Sequence, residues 1–70
     1  MEKLLDVLAE LKDQRIAIKE KGEIQWSGKA QDFNPYYYTT RHVVKRTKVP
    51  GEKTKEGLVI QHKVTILELD

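Results

Sequence analysis

The stretch over residues 22–38, GEIQWSGKAQDFNPYYY, constrains the fold of this chain more than any other. Strand periodicity puts Ile24, Trp26, Gly28 and Ala30 on one face and Glu23, Gln25, Ser27, Lys29 and Gln31 on the other. That alternation predicts a half-buried strand over 23–33, and Gly28 sits where a long strand bends or bulges without steric cost. Asn34-Pro35 then predicts a turn, and Tyr36, Tyr37 and Tyr38 follow it.

The remainder of the chain reads as support for this strand. Leu4, Leu5, Leu8 and Leu11 recur at helical spacing with Met1 in line, and neither Pro nor Gly intervenes, which predicts an amphipathic helix over 2–12. Ile16 and Ile18 alternate with Arg15, Ala17 and Lys19 in a first strand over 15–20, and Lys21-Gly22 supplies the positive-φ residue of a tight hairpin. The aromatic, Thr and Val residues of 36–46 suit a pleated surface and predict a third strand. Val49-Pro50-Gly51-Glu52 has the composition of a type II turn. Two further apolar runs, 57–61 and 64–69, meet at a corner formed by Gln61-His62-Lys63. The expected architecture is mainly β: an N-terminal helix followed by a strongly bent five-stranded antiparallel sheet, a small open barrel.

Seventy residues make one domain that buries only about 60% of its unfolded surface. The chain has no cysteine and two histidines, so disulfides and a structural zinc site are not expected as staples, and oligomerisation is the staple that remains. No apolar run approaches the roughly 20 residues of a membrane span, and charge interrupts the first twelve residues too often for a signal peptide. We expect a soluble, cytoplasmic protein with no membrane partner. Charge is segregated: Glu2, Asp6, Glu10 and Asp13 outnumber Lys3 and Lys12 at the start. Over residues 41–56, by contrast, Arg41, Lys45, Arg46, Lys48, Lys53 and Lys55 outnumber Glu52 and Glu56. A polyanion would be drawn to the second segment. The carboxylates Asp6, Asp13, Asp32 and Asp70 fall in separate elements, and no glycine-rich phosphate loop, nucleophile motif or ligand cluster is present. We therefore expect no catalytic residues, no metal and no cofactor.

The order of these features resembles the Sm-like proteins, the group that includes the Lsm proteins and bacterial Hfq. The likeness rests on the leucine-rich Asp6-Val7-Leu8 turn of the helix, the turn glycine Gly22, the bend glycine Gly28 with Phe33 five residues on, and the His62-Lys63 pair before VTILEL. Asn34 stands where the family has aspartate, Tyr38 where Lsm proteins carry a base-reading asparagine, and Gln61 where Hfq has lysine. The resemblance implies a closed homo-oligomeric ring in which the fourth strand of one subunit pairs with the fifth of its neighbour. It also implies a non-enzymatic role in binding single-stranded, U-rich or A/U-rich RNA. Carried over residue by residue, it assigns RNA contacts to Asn34, Tyr36, Tyr38, Gln61, His62 and Lys63, with phosphate contacts from Arg41, Lys45, Arg46 and Lys48. The alternative reading is an SH3-like small barrel that uses its tyrosines to bind a protein partner.

Overall fold

The computed structural model describes residues 1–70. Nine elements follow in order: strand β1 (Glu2–Lys3), helix α1 (Leu4–Leu11), β2 (Arg15–Glu20), β3 (Glu23–Lys29), a single 3-10 turn (Ala30–Asp32), β4 (His42–Val49), β5 (Glu52–Lys53), β6 (Val59–Gln61) and β7 (Val64–Leu69). The molecule is mainly β, with one short helix on a five-stranded sheet of order β1-β4-β7-β2-β3, and β5 and β6 form a separate two-stranded ribbon. Leu4, Val7, Leu8 and Leu11 face the sheet and close a ten-residue core with Ile16, Ile18, Ala30, Val43, Leu67 and Leu69. Leu5 lies at the margin and stays 40% exposed, while Val7 takes the buried place expected for it.

Two elements match their expected bounds, β2 and β7. Lys21 and Gly22 both hold positive φ, as a two-residue turn of the mirror-image type requires. The helix is shorter than 2–12 because Glu2 and Lys3 pair with Val43 and His42 as a strand before the chain turns onto the sheet.

The sheet is mixed rather than antiparallel, and it does not close into a barrel: β2 and β7 run parallel, while every other pairing is antiparallel. The cause lies in residues 30–41. The expected strand over 23–33 stops at Lys29, because the Ala30 amide donates to Gln14 O and the Gln31 amide to Lys12 O, tying the 3-10 turn to the loop after the helix. The expected strand over 36–46 is a loop up to Arg41, with the Tyr38 amide donating to Pro35 O and the Arg41 amide to Tyr38 O. This segment starts beside Gln14, where β2 begins, and ends at Arg41, bonded to Glu20, where β2 finishes. Having crossed the length of the sheet, the chain enters β4 in the same direction as β3. β7, the antiparallel partner of β4, therefore runs parallel to β2.

Bulges reset the alternation on β3 and β4. Ile18 pairs with Trp26 but Lys19 with Ile24, so Gln25 is extra, and Ile24 leaves the Trp26 face to become 52% exposed. Val43 pairs with Leu69 but Lys45 with Glu68, so Val44 is extra and Arg46 turns toward the helix. At Gly28, φ is +152° and a Cβ would stand 3.0 Å from the Trp26 ring, so the absent side chain makes room for the indole.

Pro50-Gly51 is not a type II turn, since Gly51 lacks the positive φ that turn needs. The chain passes through it, and the reversal comes at residues 54–58, where Gly57 has φ +88° and the Leu58 amide donates to Thr54 Oγ1. Gly51 serves another need: a Cβ there would lie 3.0 Å from Gln61 O and Lys63 N. The strand expected over 57–61 reduces to β6.

Candidate nucleic-acid interface

The turn Gln61-His62-Lys63 occupies the joint between the ribbon and the sheet, and all three residues are exposed. Its position follows from the close passage of Gly51 and from a hydrogen bond that the Gln61 side-chain amide donates to Pro50 O at 3.2 Å. Two depressions adjoin it. One, of about 400 Å³, is lined by Gly51, Lys53, Val59, Gln61, His62 and Lys63 beside Glu52. The other, of about 310 Å³, lies at the end of the sheet and is lined by Arg15, Ser27, Gly28, Gln61, His62 and Val64 over Ile16. Gln61 and His62 belong to both and form the saddle between them. Strand alternation explains the second group: Arg15, Ser27 and Val64 point to the sheet face that carries no helix, and the parallel pairing of β2 with β7 brings Arg15 next to Val64.

The saddle joins donors and acceptors of different kinds. An amide and an imidazole offer hydrogen bonds to base edges, and Lys53, Lys63 and Arg15 surround them with positive charge and take part in no ion pair. Arg15 escaped the sequence reading because it reaches the saddle through strand pairing, which leaves no local signature, whereas Lys53 belongs to the basic segment over 41–56 that would draw a polyanion.

The aromatic segment forms a second group. Asn34 Oδ1 accepts the Tyr36 amide at 3.1 Å, so this side chain holds its own turn. Tyr36 and Tyr37 are 72% and 85% exposed, with ring centroids 4.9 Å apart in an edge-to-face pair. Tyr38 turns inward: its ring packs 5.4 Å from Phe33, which packs 4.9 Å from Trp26, and the Arg41 guanidinium lies 5.7 Å from the Tyr38 centroid. No hydrogen bond, ion pair or ring contact joins Asn34, Tyr36 or Tyr38 to Gln61, His62 or Lys63, and neither depression at the saddle reaches them.

The four expected phosphate contacts divide in the same way. Arg41 bonds Glu20 at 3.2 Å and Asp70 Oδ1 at 3.1 Å, and it also donates to the Asp70 carbonyl oxygen. The hydrogen bond that Arg41 donates to the Asp70 carboxylate raises the Arg41 pKa. Asp70 itself is held below the usual carboxylate range, first by the His42 amide and then by Arg41. Arg46 clasps Glu2 at 2.7 Å and Glu10 at 2.8 Å; this pairing raises its pKa and depresses that of Glu10. Both arginines are thus engaged by carboxylates of their own chain. Lys45 and Lys48 are exposed, on opposite faces of β4, and form no ion pair.

The ring contact carried over from the Sm-like resemblance has no strand to receive it. It requires a free edge on the last strand, and β7 lies between β4 and β2 with both edges bonded. No helix of the chain is long and apolar enough to cross a membrane. No family model, no curated protein and no solved structure matches this chain.

Proposed function

We propose that this protein is a non-enzymatic binder of single-stranded RNA, U-rich or A/U-rich, acting in the cytoplasm. Its contact surface is the saddle formed by Gln61 and His62. The observation that carries this reading is that these two side chains line two adjoining depressions whose rims hold Lys53 and Lys63 on one side and Arg15 on the other. A short strand laid across the saddle would put successive bases in the two depressions and its phosphates against the three cations. The imidazole and amide would meet base edges or stack on them. The resemblance to Sm-like proteins supports the reading at one place, the His62-Lys63 pair between the last two strands.

Titration of fluorescent oligo-U and oligo-A at several salt concentrations tests it. Release of counterions from three phosphates gives a slope of about −2 in log K against log salt, which is roughly twentyfold weaker binding at 200 mM than at 50 mM. His62→Ala should weaken binding about tenfold, and Lys63→Gln should lower the slope by about 0.7. Absence of saturable binding at low salt, or binding indifferent to both substitutions, would remove the saddle as the site.

A further inference from the structure

On the sheet face that carries no helix, strand pairing lines up side chains in rows that cross the strands. The middle row runs Ser27, Ala17, Ile66 and Thr47, from β3 through β2 and β7 to β4, and holds no charge. The row beside it toward the saddle contains the paired bases Lys29 and Arg15. The row on the other side contains Lys19 and Lys45, which flank Glu68. Arg15 and Lys19 stand about 13 Å apart at strand rise, so the face is a neutral band between two cationic banks. None of these four bases takes part in an ion pair.

A sheet with one solvated face needs no partner, but here the charge is sorted by face. Helix α1, on the other side of the sheet, carries Asp6 and Glu10 and no base. The bases that β4 turns that way, Arg46 and Lys48, both act on Glu10. The open face keeps its four bases against Glu68 and, at its far margin, Asp70, which Arg41 and His42 already hold. A polyanion is therefore favoured on this face and on no other part of the sheet. Continuity identifies which polyanion: Arg15 and Ser27 line the depression at the end of the sheet and also begin the near bank and the neutral band.

We propose that an RNA strand bound at the saddle continues across the open sheet face, along the band of Ser27, Ala17, Ile66 and Thr47, with Lys29, Lys19 and Lys45 meeting its further phosphates. The path rests on the saddle as its first contact. Bases lie on the small and aliphatic floor, and the long side chains of the banks reach the backbone from either side.

Fluorescent oligo-U of about four and about ten nucleotides separates the two surfaces, because the shorter fills the saddle and the longer spans both. Three further phosphate contacts should steepen the slope of log K against log salt from about −2 for the shorter to about −4 for the longer, which then binds roughly three-hundredfold more weakly at 200 mM than at 50 mM. Lys19→Gln, Lys29→Gln and Lys45→Gln combined in one chain should return the longer oligomer to the shallower slope and leave the affinity of the shorter unchanged. Thr47→Glu, which puts a carboxylate at an exposed place in the band, should weaken only the longer one. Circular dichroism matching wild type shows that each variant is folded. Equal slopes for the two lengths, or a slope for the longer oligomer that the triple substitution does not change, would overturn the path and leave the saddle standing. A shorter oligomer that does not bind removes the saddle and the path together. Poly-glutamate that displaces the longer oligomer as readily as unlabelled oligo-U of equal charge would give the face to an acidic protein and overturn the path as well.

Discussion

The body and the ribbon obey different rules. In the body, ten side chains bury one another between α1 and the sheet, and two arginines lash distant segments together: Arg46 joins β4 to Glu2 and Glu10, and Arg41 joins the crossing loop to Glu20 and the C-terminal Asp70. In the ribbon, no residue is buried, two positions pair, and the aliphatic run Leu58-Val59-Ile60 faces solvent. The first region is organised by exclusion of water, and the second is exposed along both of its strands. The saddle proposed as the RNA site sits at the joint and draws Arg15 and Ser27 from one region and Lys53 and Gly51 from the other.

Substitutions should separate the two regions sharply. The largest effect belongs to the centre of the core: Leu67→Ala or Ile18→Ala, at fully buried positions, should cost about 2–5 kcal/mol, measured by urea denaturation. For a domain of this size, that takes most of the stability. Gly28→Ala comes next at about 1–3 kcal/mol, since the new Cβ meets the Trp26 ring and the backbone holds positive φ. A shift of Trp26 fluorescence should accompany it.

Acid provides a third probe of the body. Glu10 is held below its ordinary pKa by hydrogen bonding and charge from Arg46, and Asp70 by the His42 amide and Arg41. As pH falls below about 4, the unfolded chain takes up these protons before the folded one does, so stability present at neutral pH is lost on acidification. Because both carboxylates are exposed, the loss should be modest, and Glu10→Gln should flatten it. The smallest effect belongs to the ribbon: Val59→Ala and Ile60→Glu should change body stability by no more than about 0.5 kcal/mol. A large loss of body stability on either substitution would erase the distinction.

The legible parts of the fold were those set by local periodicity. Ile16 and Ile18 marked β2, the run 64–69 marked β7, the leucines marked most of α1, and Lys21-Gly22 marked the hairpin. Single extra residues at Gln25 and Val44 inverted the faces of Ile24 and Arg46, and an alternation count cannot see an insertion that depends on the partner strand. The tyrosine run has strand composition but lies in the crossing loop, because the turn around the Asn34-Pro35 pair does not reverse the chain into a hairpin. That one difference made the sheet mixed. At the site, the exposure of Gln61, His62 and Lys63 could be read from the break between two apolar runs. The carboxylates that occupy Arg41 and Arg46 stand 21 to 44 residues away, beyond the reach of spacing arguments.

The measurement closest to the central claim is amide-resolved NMR of the isotope-labelled protein during titration with short oligo-U at low salt. RNA bound at the joint should move the amides of Gln61, His62, Lys63, Arg15 and Ser27 together, with a common saturation curve, and leave Tyr36 and Tyr37 unmoved. Shifts confined to Tyr36, Tyr37 and their neighbours, with the saddle silent, would contradict it.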